Sequence, residues 1–207
     1  MKIETKRSIL RLIKEAEEQF AGTGKALLDI EDYVAEYLTA NGVTLPYCKT
    51  EGAIIVGYQG IGKSTLAKNV NGYIDLESGN FWINGKRADD WYIPYCNIAV
   101  HLAEQGYKVF VSSHAVVREQ LASLYNNVPL LACFPSYSLK NTWITKLQIR
   151  YEKTQLEKDY KAWKNAEERY DENIKELHEA TAFIPVVISH KYYILDSLIE
   201  EALKGVK

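Results

Sequence analysis

Residues 53–65 read AIIVGYQGIGKST. An apolar run with the pattern of a buried strand breaks into Gly57, Gly60 and Gly62 and stops at Lys63, Ser64 and Thr65. A packed core gains nothing from that much backbone freedom, because glycine adds no side chain and loses the most entropy on folding. A bound anion does gain, since small residues let successive backbone N–H groups curl around its oxygens. Ser64-Thr65-Leu66-Ala67-Lys68 then leads out as the start of a helix. The order strand, glycine loop, helix constrains the fold more than any other feature of the chain.

The segment Gly57–Ser64 fits G-x-x-x-x-G-K-[ST], the phosphate-binding P-loop. The positive end of the following helix adds to its attraction for phosphate. In this pattern Lys63 meets the β and γ phosphates, and the Ser64 hydroxyl holds Mg²⁺. The expected cofactors are therefore ATP and Mg²⁺. The expected cradle is Gly57, Gly60, Ile61, Gly62, Lys63, Ser64 and Thr65.

The flanking pattern predicts an α/β fold. Apolar strand candidates AIIVG, GYID, KVFVSS, VPLLACF and FIPVVISH alternate with helical stretches. The helical stretches are KSTLAKNV, residues near 89–105, AVVREQLASL and KYYILDSLIEEAL. Such alternation implies a parallel sheet buried on both faces. Residues 139–179 read as one long polar helical region in which Leu156, Tyr160, Trp163, Tyr170, Ile174 and Leu177 keep a single apolar stripe. At the N-terminus, Ile9, Ile13, Ala16 and Phe20 mark one helix and Ile30, Val34, Tyr37 and Leu38 a second. The expected organisation is a helical hairpin over residues 1–48 and a P-loop domain over 49–207, with a helical lid at about 137–180.

Composition narrows the function classes. The net charge of −2 offers no global basic field for nucleic acid. No stretch approaches the ~20 apolar residues of a membrane span. Cys48, Cys96 and Cys133 form no C-x-x-C pair, which points to reduced thiols in a cytoplasmic compartment.

The fate of the nucleotide depends on the acids. A switch GTPase needs N-K-x-D and D-x-x-G loops, and neither is present. A motor ATPase is expected to show an apolar strand ending in paired acids, whereas KVFVSS ends in serines and PVVISH in histidine. The acids at a strand end are Asp75 and Glu77, in YIDLES directly after the P-loop helix. Ligands bind outside the carboxyl ends of parallel strands, so both face the γ-phosphate edge. Asp75 is the first candidate for metal positioning or for receiving a proton, and Glu77 the second.

The order of these elements resembles the nucleoside monophosphate kinase-like P-loop phosphotransferases over roughly residues 53–205. The resemblance implies a five-stranded parallel kinase sheet flanked by helices. It also implies transfer of the γ-phosphoryl group to a nucleotide, most plausibly a (deoxy)nucleoside monophosphate. Asp75 matches the acceptor-side acid of that family. Val111–Arg118 is similar to the third strand and following helix of gluconate-kinase-like and adenylylsulfate-kinase-like members, which places Arg118 near the site. Residues 135–150 are similar to the family's lid, with Lys146 and Arg150 closing over the phosphates. The Asp-Gly-x-Pro-Arg element of the adenylate-kinase branch is replaced here by Ser112-Ser113-His114.

The acceptor side is expected in ESGNFWINGKRADDWYIPY, with Trp82 as a stacking surface, Arg87 as a phosphate ligand and His114 at a neighbouring strand end. The expected catalytic set is Lys63, Asp75, Arg118 and Arg150, with Lys146 on the nucleotide and Ser64 and Asp75 on the metal. Alternative readings are a kinase acting on a hydroxyl of modified DNA or a strand end, a small-hydroxyl kinase, and a non-catalytic nucleotide-binding interaction protein. Expected partners are a nucleotide acceptor or DNA, with no membrane. Residues 40–49 also resemble a short segment recurring in small bacteriophage proteins.

Overall fold

The computed structural model describes residues 51–83, 86–87, 89–124 and 127–206, and only the backbone of residues 80–83, 86 and 87. The expected N-terminal hairpin over residues 1–48, and the phage-like segment over residues 40–49, lie outside the described residues.

The chain runs β1 (Ala53–Gly57), α1 (Lys63–Asn69), β2 (Tyr73–Asp75), a 3₁₀ turn (Ser78–Phe81) and the short strands β3 (Trp82–Ile83) and β4 (Lys86–Arg87). It continues with α2 (Tyr92–Glu104), β5 (Lys108–Val111), α3 (Ala115–Ser123) and β6 (Leu130–Pro135). A second 3₁₀ turn (Tyr137–Leu139) leads into α4 (Lys140–Thr154), then α5 (Glu157–His178), β7 (Ile184–Ile188) and α6 (Leu195–Lys204).

Five strands form one parallel sheet in the order β2-β5-β1-β6-β7. The central strand is β1, and Ala53, Ile54, Ile55 and Val56 on it are fully buried. That is why β1 reads as a continuous apolar run rather than an alternating one. Edge strand β7 carries the exposed Pro185, which a central strand does not tolerate. The register pairs Asp75 with Phe110, Val56 with Val111 and Gly57 with Cys133. The carboxyl ends of β2, β5, β1 and β6 therefore share one edge, and the glycine loop rises from its middle. The α/β class, the parallel sheet and its five strands match the expectation.

Two expectations change. The long helical region over 139–179 is two helices, because the chain reverses at Gln155, which takes a left-handed φ of 53°. The reversal is held by Asp159, which accepts from Thr154 Oγ1 at 2.5 Å and from the Arg150 guanidinium. Tyr170, Ile174 and Leu177 are buried as expected and Trp163 is half-buried, while Leu156 and Tyr160 at the turn are exposed. The closing helix begins at Leu195, later than expected, and residues 189–194 cross the carboxyl edge as a loop. Leu195, Ile199 and Leu203 form the buried stripe of α6. Asp196 accepts from the Tyr73 hydroxyl at 2.6 Å and Glu200 pairs with Lys108, which ties α6 to β2 and β5.

Candidate functional site

The loop between β1 and α1 has the left-handed glycines its motif calls for: φ is +82° at Gly60 and +98° at Gly62. A Cβ on Gly57 would fall 2.6 Å from Lys63 Cδ, so the lysine stem already fills the space over the first glycine. The Lys63 ammonium curls back and donates to the carbonyls of Gly57 at 2.9 Å and Tyr58 at 3.3 Å. Burial lowers its proton affinity, opposed by the charges of Asp75 and Glu77.

At the neighbouring strand end, Ser64 Oγ donates to Asp75 Oδ2 at 2.5 Å. Burial raises the Asp75 pKa, and the Lys63 charge and the Ser64 hydrogen bond oppose that rise. Hydroxyl, carboxylate and ammonium thus converge where α1 starts. Oxygen donors of this kind suit a hard divalent cation whose remaining ligands are water and phosphate. Among the described residues no cluster of three or more His, Cys, Asp or Glu could hold a metal by itself. β5, β6 and β7 are followed by Ser112, Ser136 and Ser189, so Asp75 on β2 is the strand-end carboxylate beside the loop.

The loop opens on a cleft of about 2590 Å³, lined by α4, α5 and the Ser189–Ile194 segment as well as by the loop itself. That is larger than the roughly 300–1,000 Å³ of a small-molecule pocket. The cations expected to close over phosphate line this cleft, and each has a partner. Lys146 Nζ donates to the Tyr193 hydroxyl at 3.2 Å and lies 4.3 Å from the Trp143 ring centre. Arg150 is paired with Asp159. Arg118 donates to Ser113 O at 2.5 Å and to Glu176 Oε2 at 2.8 Å.

Glu77 lies past the end of β2, lines the same cleft, and approaches Lys158 at 4.0 Å. His114 caps α3, contacts Ser112 Oγ and stands edge-on to Trp91 at 5.8 Å. Thr65 is exposed on the first turn of α1, and Ile61 is buried. The side chains of Trp82 and Arg87 lie outside the described residues; their backbones pair across β3 and β4.

Sequence reasoning missed the groups that grip the loop from behind. Trp143 Nε1 donates to Gln59 O at 2.8 Å, and the Tyr193 hydroxyl donates to Ile61 O at 2.9 Å. Gln59 Nε2 donates to Ala162 O at 2.7 Å and to Asn165 Oδ1 at 3.2 Å. Gln59 occupies a free position of the motif, and the separations along the chain are 84, 132 and 103 residues. No local pattern encodes such contacts.

The loop and its acid are common ground for many nucleotide-handling proteins, and comparison with known proteins separates them. A family model described as ABC transporter matches residues 40–184. The chain belongs to the ABC transporter family. It is 41% identical over 51 residues to the energy-coupling factor transporter ATP-binding protein EcfA1 of Latilactobacillus sakei, covering 25% of this chain and 18% of that protein. It is 28% identical over 100 residues to the alpha-glucoside transport ATP-binding protein AglK of Rhizobium meliloti, covering 48% of this chain and 26% of that protein. The chain therefore spans about a quarter or less of the length of these curated relatives. No solved structure matches it.

This finding corrects the reading from the sequence. The chain is not a nucleoside monophosphate kinase-like phosphotransferase, and the kinase activity, its nucleotide or DNA acceptor and the non-catalytic alternative fall with that resemblance. The error has a physical source. A strand, a phosphate loop and a helix with basic residues downstream serve any chemistry at a γ-phosphate, so element order could not separate transfer to an acceptor from transfer to water. The lack of paired acids at a strand end is therefore no ground for setting a motor ATPase aside.

Proposed function

We propose that this ABC-family chain binds Mg²⁺–ATP in the Gly57–Ser64 loop and hydrolyses it, as the ATP-binding component that powers a transporter. The observation that carries the reading is the Ser64–Asp75 contact beside Lys63. Ser64 Oγ and Asp75 would hold Mg²⁺, which neutralises charge on the phosphate oxygens when bound. Gly57, Gly60, Ile61, Gly62 and Thr65 supply backbone or helix N-terminal groups to the phosphates. Lys63 leaves the Gly57 and Tyr58 carbonyls for the β and γ phosphates, a better partner for an ammonium than two neutral carbonyls.

With Asp75 committed to the metal, Glu77, two residues further on and lining the same cleft, orients the attacking water. Lys146, Arg150 and Arg118 bring positive charge from α4 and α3 toward the transferring group. Arg150 and Arg118 are now paired with Asp159 and Glu176 of α5, so a bound nucleotide would have to draw each guanidinium off its carboxylate. His114, Trp82 and Arg87 have no assigned part in hydrolysis. The matched relatives are named as ATP-binding proteins of transport systems, so the proposed partner is a membrane-embedded transport component, with this domain on its cytoplasmic face. Among the described residues no helix is long and apolar enough to cross a membrane.

The test is phosphate release from ATP with and without Mg²⁺. The expected result is Mg²⁺-dependent release of inorganic phosphate that falls about 100-fold or more in Lys63→Ala and Asp75→Asn. Absence of release by the folded wild-type chain, or delivery of label to an added acceptor in preference to water, overturns the proposal.

A further inference from the structure

Two aromatic residues that no nucleotide motif includes hold the loop by its carbonyls. Trp143 on α4 donates its indole N–H to Gln59 O, and Tyr193, in the segment before α6, donates its hydroxyl to Ile61 O. Across a trans peptide the C=O of one residue and the N–H of the next point in opposite directions. Anchoring Gln59 O therefore aims the amide of Gly60 away from Trp143, and anchoring Ile61 O aims the amide of Gly62 away from Tyr193. We infer that Trp143 and Tyr193 are positioning residues that set the Gly60 and Gly62 amides as inward-facing phosphate donors.

The two anchors form one unit. Their rings stack at 6.2 Å and 23°. The Lys146 ammonium lies 4.3 Å from the Trp143 ring and 5.3 Å from that of Tyr193. Lys146 also donates to the Tyr193 oxygen at 3.2 Å. With that oxygen accepting from an ammonium, its own proton is directed to Ile61 O, and a chain of such bonds strengthens each member. The approach is close enough that a Cβ on Gly60 would lie 3.3 Å from Trp143 Nε1. Glycine supplies the freedom to adopt φ of +82° and +98°, but it supplies equal freedom to leave. A donor that is already oriented loses less on binding than one that must be ordered, and this is the physical role of the anchors.

The inference rests on the nucleotide reading above, and its test separates the two. Inorganic tripolyphosphate with Mg²⁺ is titrated calorimetrically into the full chain, since this probe reports the phosphate cradle without a base or sugar. Tyr193→Phe removes one hydroxyl and Trp143→Phe removes the indole N–H. Each is expected to weaken binding about fivefold, the effect of one hydrogen bond. Tyr192→Phe, on a side chain 83% exposed, is expected to bind as wild type. In ¹⁵N–¹H spectra the binding shift of the Gly62 amide shrinks in Tyr193→Phe and that of Gly60 shrinks in Trp143→Phe, while Lys63 keeps its own. If Trp143→Phe fails to fold, Tyr193→Phe decides alone. Wild-type affinity together with wild-type amide shifts in Tyr193→Phe overturns the positioning role. A folded wild-type chain that gives no heat with tripolyphosphate or ATP overturns the nucleotide reading, and this inference with it.

Discussion

Alanine at Gly60 and at Gly62 gives a paired measurement of how tightly α4 seats against the loop. Both glycines have positive φ, and left-handed backbone costs an L-residue with a Cβ about 1–2 kcal/mol. At Gly62 nothing lies within 4 Å of the added carbon, so this backbone term is the whole effect. At Gly60 the carbon would lie 2.9 Å from Leu147 Cδ2 and 3.3 Å from Trp143 Nε1. Leu147 and Trp143 are each only 1% exposed and have nowhere to retreat. Overpacking adds about 1–3 kcal/mol, bringing Gly60→Ala to about 2–5 kcal/mol against about 1–2 kcal/mol for Gly62→Ala. For a domain of this size each kcal/mol lowers Tm by about 2–4 °C. Differential scanning fluorimetry of the two variants should therefore place Gly60→Ala clearly below Gly62→Ala. Equal Tm values, or the reverse order, would refute the packing of α4 on the loop and the tethering argued from it.

Asp75→Asn is expected to stabilise the ligand-free fold while abolishing hydrolysis. Burial raises the Asp75 pKa in the folded state, so its ionisation destabilises that state progressively from about pH 4 upward. Urea unfolding at several pH values should show the variant gaining on wild type above that pH and converging with it below. Asp159 has the opposite sign: burial raises its pKa, but hydrogen bonds from Thr154 and Arg150 outweigh that and hold it below the usual range. Its contribution is present at neutral pH and is lost as pH falls through the depressed pKa. Asp159→Ala should cost about 1.5–3 kcal/mol in urea unfolding at pH 7, and much less at pH 2. Burial pushes the thiols of Cys96 and Cys133 up to about 12, so in the native state at pH 8 both should resist iodoacetamide in peptide mass mapping and react only after denaturation.

The local features were legible because their causes are local. The β1 run, the glycines, Lys63 and Ser64 sit within one strand-loop-helix unit, and the motif states the chemistry of each in sequence order. Asp75 was legible for a related reason, since it ends the strand that follows the P-loop helix, and the parallel register carries it to the same edge. The break at Gln155 was not, because the polar residues around it do not show that Asp159 folds back onto Arg150 and Thr154. Nor was the state of the cations: Lys146 and Arg150 share a helix face as their spacing implies, but their partners come from Tyr193 and Asp159.

By itself, then, the sequence determined that this chain makes a parallel α/β sheet with a glycine turn at its carboxyl edge, because strand burial and glycine conformation are properties of contiguous residues. Tertiary structure alone decided which cations stand in the cleft already engaged, and which aromatic groups hold the Gln59 and Ile61 carbonyls. Those outcomes depend on residues that are distant along the chain and become neighbours only when the helices close over the sheet. A spacing rule reaches about one helical turn, and the anchors of this loop lie far beyond that range.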